Sequence, residues 1–287
     1  MPSPRRQRRF GGWMRESPFD SSKRREGIMG LIRSFFIAFS MYSRVPVPRV
    51  RWDEKDCRFV LLFFPLVGLL EGFLQWGLLS TSAALQLPVL LRAALLTAFP
   101  FFYTGGIHLD GFLDTVDALG SWRSRTERLA ILKDVHTGSF AVLACVLLCL
   151  LQFSAWASLD SEVPGGLIVI PFLLSRSFSA MSLLLLPNAR GEGSAYQFSS
   201  AASRHITAGG VILFSLAGLC YVSLFSARGR YPAYSLLIPL ASFLAALYGA
   251  LRARVAFGGM TGDLAGFLLT VSESAALAVT ALAFHGQ

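Results

Sequence analysis

The stretch FVLLFFPLVGLLEGFLQWGLL, residues 59–79, decides the fold, because Glu71 is the one charged side chain in it. A helix needs about 20 consecutive apolar residues to cross a bilayer. Further runs of this kind occupy residues 87–107, 140–159, 166–187, 208–226, 231–250 and 264–284. Together the runs predict an all-α, polytopic integral membrane helix bundle with about seven transmembrane helices.

The composition agrees with a membrane protein. Charged residues make up 15% of the chain, whereas a soluble domain carries about 25%. The mean hydropathy is +0.55. Residues 28–42 are also apolar, but this run is short and contains Arg33, so we expect an interfacial helix there. Pro46 and Pro48 cannot continue that helix.

Much of the net charge of +9 lies at the N-terminus, where residues 1–26 hold eight Lys or Arg against three Asp or Glu. This composition predicts a basic, disordered tail over residues 1–27, followed by one membrane-embedded domain over residues 28–287. The tail lacks the folded context of a nucleic-acid site. We therefore expect contact with the lipid bilayer and no nucleic-acid partner.

The basic loops indicate the orientation. The N-terminus and three of the four basic loops fall on one side of the membrane, which the positive-inside rule makes cytoplasmic. The loop with Arg228 and Arg230 falls on the other side and is the exception. The acidic stretch after residue 107 and the glycine-rich segments 187–196 and 258–263 all fall on the cytoplasmic side. That side is where we expect an active site.

The acidic stretch is GGIHLDGFLDTVDAL, residues 105–119. On a helix, Asp110, Asp114 and Asp117 lie on one face, within roughly 40°. No Lys or Arg lies between Gly105 and Ser121. Two carboxylates about 4 Å apart repel by about 4 kcal/mol at an effective dielectric near 20, so the cluster requires protons or a bound cation. An all-oxygen ligand set favours Mg²⁺, Mn²⁺ or Ca²⁺.

Further residues extend this candidate site. If residues 122–136 form a helix that returns to the membrane, Asp134 becomes a fourth carboxylate. Glycines without side chains let the backbone approach a ligand closely, and arginines can clamp phosphate. The candidates of these two kinds are Gly105, Gly106, Arg123, Arg125 and Arg176. Arg176 lies inside an apolar run, so it requires a carboxylate or a substrate phosphate, and Glu71 or Glu273 can be that carboxylate.

The chemistry of this cluster is left open by the residues alone. His108 is either a ligand or general base, or a structural bystander. The acidic face can be a solvated helix surface or an ion-conducting site of a transporter. Divalent cations at a membrane surface are best suited to reactions of a diphosphate. We therefore expect metal-dependent phosphoryl or nucleotidyl-ester transfer, with a hydroxyl activated by a carboxylate or by His108.

At these residues the sequence resembles the cobalamin synthase family, the adenosylcobinamide-GDP ribazoletransferases. Residues 105–119 are similar to the family signature GGxHLDGxxDTxDG. Further segments match in order and spacing: SRVPVP (43–48), FPLVGLL (64–70), LKDVHTGSFAVLA (132–144), SRSFSA (175–180), ARGEG (189–193) and GGMTGDLAG (258–266). Ala118, His136 and Glu71 depart from the pattern, but none of them removes a carboxylate.

The resemblance implies the last step of nucleotide-loop assembly in cobalamin biosynthesis. Adenosylcobinamide-GDP and α-ribazole, or its 5′-phosphate, would give adenosylcobalamin, or its phosphate, and GMP, with Mg²⁺ as cofactor. It assigns catalysis to His108, Asp110 and Asp114, and metal binding to Asp110, Asp114, Asp117 and Asp134. It also carries over Asp263. Together with the candidates proposed above from their chemistry, the expected substrate-binding residues are Gly105, Gly106, Arg123, Arg125, Arg176, Arg190 and Asp263.

The resemblance also implies a multi-pass protein of the bacterial inner membrane whose active site faces the cytoplasm. A homo-oligomer and association with other enzymes of nucleotide-loop assembly are compatible with it.

Two other classes fit the sequence less well. A CDP-alcohol phosphotransferase would need an Ala-Arg pair after the first Asp-Gly, where this chain has Asp114-Thr115. A cation-coupled transporter predicts carboxylates near the middle of the membrane and inverted repeats. Only Glu71 and Glu273 fit that expectation, because the main cluster follows the end of an apolar run.

Overall fold

The structure is a computed structural model that describes residues 21–50, 52–159, 163–227 and 233–284. Residues 1–20 of the predicted tail lie outside this part of the chain, and so do residues 231 and 232 of one predicted span. The division into a tail (1–27) and a membrane domain (28–287) therefore stays a prediction.

Helices account for the secondary structure of the described residues. They are α1 (Ser21–Tyr42), α2 (Val60–Ala84), α3 (Val89–Thr104), α4 (Ile107–Gly120), α5 (Arg125–Ile131), α6 (Ser139–Ala157), α7 (Gly165–Leu185), α8 (Ser194–Ala201), α9 (Arg204–Ala227), α10 (Tyr234–Arg252) and α11 (Gly262–Phe284). A 3₁₀ turn (Glu54–Phe59) precedes α2, and a π-helical turn (Ala253–Phe257) extends α10.

The predicted membrane bundle is confirmed. Six helical stretches in the described ranges are long and apolar enough to cross a bilayer, and the number is seven if the bent pair α3–α4 is counted as one span. Helix α7 is the centre of the bundle, because 89% of its apolar stretch is buried, whereas only 17% of the apolar stretch of α9 is buried. The outer helices therefore direct most of their apolar surface outward, as lipid-facing helices do.

The α3–α4 pair differs from the expected uninterrupted span over residues 87–107. The chain turns by 96° between the two helices. Gly105 and Gly106 make this turn with φ of 68° and 83°, in the left-handed region that glycine enters without steric penalty. The acidic segment therefore forms a separate helix, α4, which packs on α11 and α6.

Helix α1 begins at Ser21, before the predicted start at residue 28. Its exposed face carries large apolar side chains, including Ile28, Met29 and Ile32, while Ile37 and Ala38 on its second half are fully buried. An exposed apolar face next to a buried one suits a helix at a membrane surface. Its interfacial position stays a prediction.

Candidate active site

The carboxylates of α4 meet the start of α11 at one end of the bundle. Gly111 makes this approach possible, because a Cβ there would lie only 2.7 Å from the carbonyl oxygen of Asp263. Asp114 is half-buried and close enough to Asp110, Asp263 and Asp117 to be repelled by all three, while Arg190 attracts it. The structure thus adds Asp263 to the predicted acidic face.

A cavity of about 120 Å³ opens beside these carboxylates. Asp110, Asp263 and His108 line it, and so do the aromatic side chains of Tyr42 and Phe64. The pocket therefore combines acidic side chains, an imidazole and apolar surface, as a small-molecule site does.

His108 is 8% exposed. Its ring stacks on Tyr42 at 6.1 Å between centroids and lies 5.9 Å from the ring of Phe64. Among the described residues, its Nε2 atom has no hydrogen-bond partner. A buried imidazole nitrogen without a partner, at the wall of a polar pocket, is free to accept a proton or a hydrogen bond from a substrate.

The Asp117 carboxylate lies beside Gly138, whereas Asp110 lines the cavity. Any side chain in place of Gly138 would collide with the Asp117 carboxylate. Helix α6 begins at the next residue, and the partial positive charge of a helix N-terminus favours a carboxylate there. Asp117 therefore has a structural partner, and its predicted role as a metal ligand stays a prediction.

Asp134 does not lie on a returning helix. Helix α5 covers only Arg125–Ile131, so the predicted helix over residues 122–136 is too long. The exposed Asp134 carboxylate accepts a hydrogen bond from the backbone N–H of His136 at 3.0 Å and pairs with its ring at 2.7 Å. Both bonds lower the pKa of the Asp134 carboxyl group below its usual range, and the bond from the backbone N–H has the larger effect.

The side-chain geometry bears on the predicted metal site. Within the described ranges, no three His, Cys, Asp or Glu side chains converge closely enough to hold one metal ion. Metal binding by Asp110, Asp114, Asp117 and Asp134 stays a prediction. Asp110 and Asp263 line the cavity, and Asp114 lies close to both of them.

The predicted phosphate-binding arginines fall into different surroundings. Arg190 forms an ion pair with Asp263 at 3.0 Å, beside the cavity. The guanidinium of Arg125 packs against Gly258, at the end of the π-helical turn. Arg123 pairs with Glu127 at 3.3 Å on the exposed surface. Arg176 lies deep in the bundle and pairs with both Glu71 and Glu273, so the carboxylate partners expected for it are the ones found.

Two glycine-rich segments predicted to share one face are joined directly. Met260 donates its backbone N–H to Pro187 at 2.8 Å, and Ala189 donates its N–H to Met260 at 2.9 Å. Asn188 stabilises the loop by accepting from the N–H groups of Arg190 (2.9 Å) and Gly191 (2.6 Å). The two backbone hydrogen bonds that join Pro187 and Ala189 to Met260 are called the 187–260 clasp. They place Arg190 beside Asp263.

Sequence reasoning missed two residues at the site. Arg44 places its guanidinium against Gly105, and its backbone N–H donates to Tyr103 at 2.6 Å. Tyr42 forms part of the cavity wall. The signal for Arg44 was available in the SRVPVP segment, which follows the end of α1 at Tyr42 and contacts the α3–α4 turn through Arg44.

The fold and the site define a multi-pass membrane protein with an acidic pocket at one end of its helix bundle. The profile of the cobalamin-5-phosphate synthase family matches residues 34–281. A Lachnoclostridium phytofermentans protein named adenosylcobinamide-GDP ribazoletransferase is 36% identical over 248 residues, which cover 85% of this chain and 92% of that protein. A Pseudomonas fluorescens protein of the same name is 34% identical, with 86% and 99% covered.

The chain belongs to the cobalamin-5-phosphate synthase family, and it is a transferase of cobalamin biosynthesis. The resemblance stated from the sequence is thereby confirmed. No solved structure matches the fold.

Proposed function

We propose that this chain joins adenosylcobinamide-GDP to α-ribazole or its 5′-phosphate and releases GMP. The observation that carries the proposal is the cavity beside α4 and α11, which Asp110, Asp263 and His108 all line. The substrate is inferred from the names of the relatives, and the side chains that line the pocket are suited to this transfer reaction.

The reaction assigns a task to each group. The 3′-hydroxyl of the ribazole attacks the phosphorus attached to cobinamide, the bond from that phosphorus to the GMP oxygen breaks, and GMP leaves. The hydroxyl proton passes to His108 or to a carboxylate of α4, the acceptors at the cavity. Arg190, which pairs with Asp263, and Arg125, which packs against Gly258, are the cations proposed to bind the phosphate oxygens.

Mg²⁺ belongs to the same proposal. Asp110, Asp114 and Asp263 offer only carboxylate oxygens, the ligand type that Mg²⁺ prefers. Mg²⁺ is commonly held by one or two carboxylates together with substrate phosphates, so three converging side chains are not required. When bound, the ion supplies neutralisation of the diphosphate charge.

The location follows from the same site. We propose that the protein lies in the bacterial inner membrane with the α4–α11 end facing the cytoplasm, where nucleotide substrates are found. The basic loops support this orientation. Reporter fusions after residue 86 and after residue 122 test it, because these points lie before α3 and after α4, at opposite ends of the bent α3–α4 pair. Association with other enzymes of nucleotide-loop assembly is tested by co-purification.

The experiment that tests the proposed function uses the purified protein in detergent. With Mg²⁺, adenosylcobinamide-GDP and α-ribazole phosphate, we expect GMP and a cobalamin product, and a chelator should abolish both. Asp110→Asn should lose the activity, whereas Glu54→Gln should keep it, because Glu54 is an exposed carboxylate on the 3₁₀ turn. A folded wild type that releases no GMP would overturn the proposal.

A further inference from the structure

Three charged side chains meet inside the bundle, away from the acidic pocket. Glu71 on α2 lies 2.5 Å from Nη2 of Arg176 on α7, and Glu273 on α11 pairs with Nη1. The side chains of Glu71 and Arg176 are 0% and 1% exposed. If both glutamates were ionised, this buried triad would carry one uncompensated negative charge.

The hydrogen bonds of the two glutamates are unequal. Glu273 Oε1 accepts from Ser175 Oγ at 2.8 Å as well as from Arg176, so two donors stabilise its charge. Glu71 accepts a hydrogen bond from Arg176 through Oε2 alone. In the part of the chain that the structure describes, Glu71 Oε1 has no partner. A buried ionised oxygen without a donor is costly, whereas a protonated one becomes a donor itself.

A cavity of about 30 Å³ adjoins the triad. It is lined by Glu71 together with Thr104, Gln152 and His108. A space of about 10–15 Å³ with polar walls is enough for one water molecule. His108 also lines the acidic pocket, so the two cavities share this residue.

We propose that the triad binds one proton, carried on Glu71 Oε1, which donates its hydrogen bond into the cavity beside His108. The proton makes the triad neutral, since the remaining carboxylate, Glu273, balances Arg176. Neutrality is favoured because an uncompensated charge in an apolar interior costs several kcal/mol. A second cation in that space would lie against the guanidinium of Arg176, so a proton fits better than a metal ion.

The other titratable groups that face the triad are Tyr103 and His108. Tyr103 already donates its hydroxyl to the carbonyl of Val67 at 2.8 Å. The bound proton is therefore assigned to the two glutamates, which share one guanidinium and titrate as a unit.

Infrared spectroscopy of the wild type tests the proton directly. At neutral pH the detergent-purified protein should show the C=O band of a protonated carboxyl group. The band should persist in the difference spectrum between wild type and Glu71→Gln, where any contribution of the α4 aspartates cancels. The absence of the band from that difference spectrum would overturn the proposal.

Thermal unfolding tests where the proton lies. Gln is a neutral isostere of a protonated Glu, so Glu71→Gln should unfold within about 2 °C of the wild type. Glu273→Gln forces Glu71 to ionise with one oxygen unpaired, so its midpoint should fall by roughly 5 °C or more. If Glu71→Gln fails to fold, or is less stable than Glu273→Gln, the assignment to Glu71 is wrong.

The pH dependence gives a third readout with a fixed sign. An exposed glutamate in the unfolded chain releases its proton near pH 4.3, whereas the folded triad retains one. The folded state therefore binds more protons, and the wild-type unfolding midpoint should fall as pH rises. The unfolding midpoint of Glu71→Gln should lack this contribution to the pH dependence. The midpoints of wild type and variant should therefore diverge as pH changes. Parallel curves would contradict the bound proton.

Discussion

Gly111 is the position where the smallest change should have the largest effect on the site. In Gly111→Ala the new methyl group would lie 2.7 Å from the carbonyl oxygen of Asp263 and 2.8 Å from its Cα atom. Both neighbours are backbone atoms and cannot rotate away. Helix α4 must therefore move away from α11, and Asp110 must move relative to Asp263.

The magnitude follows from two opposing terms. Overpacking a well-packed contact costs about 1–3 kcal/mol, while Ala is favoured over Gly in a helix by about 0.5–1 kcal/mol. The free energy of unfolding should thus fall by roughly 0–2.5 kcal/mol. Activity should fall far more, by about 10²-fold, because a displacement near 1 Å disturbs the alignment of reacting groups.

The assay is GMP release together with thermal unfolding in detergent. Gly77→Ala is the matched control, since a Cβ at Gly77 in α2 meets nothing within 4 Å. That variant should keep its activity and gain about 0.5–1 kcal/mol of stability. A Gly111→Ala protein with wild-type activity would refute the idea that close backbone contact between α4 and α11 sets the geometry of the site.

Two comparisons test the rest of the site. Asp114→Asn should reduce GMP release severely and Asp134→Asn only slightly, because the fold brings Asp114 beside the other carboxylates and leaves Asp134 bonded to His136; equal losses would restore Asp134 to the site. Gly105→Ala and Gly106→Ala should each lower stability by about 1–2 kcal/mol, since both need a left-handed backbone. Gly105→Ala should cost more, as its methyl group also meets an arginine guanidinium, and thermal unfolding of both variants measures the difference.

The transmembrane helices could be predicted because apolar runs of sufficient length leave the backbone only one way to satisfy its hydrogen bonds in lipid. The partners of Arg176 could be predicted for a similar reason, since a buried guanidinium requires carboxylates and Glu71 and Glu273 were the ones available within apolar runs. In both cases the membrane restricts the alternatives, and few solutions remain.

The turn between α3 and α4 could not be predicted from hydropathy, which records how apolar a segment is and not its direction. Gly105 and Gly106 allow a bend, but its 96° angle depends on what α4 packs against. The early end of α5 has a local cause. Asp134 bonds the backbone N–H of His136, and such a side-chain bond competes with the helical pattern.

The 187–260 clasp also bears on how the protein is made. Helix α4 leaves the ribosome long before α11, so its aspartates enter the membrane region without Asp263, Arg190 or the closing backbone bonds. The pocket exists only once α11 has been inserted and the clasp has formed. A nascent chain that stops before residue 258 would keep most of the membrane spans described above and yet hold no finished site. The acidic helix therefore stays without these partners until α11 has been made.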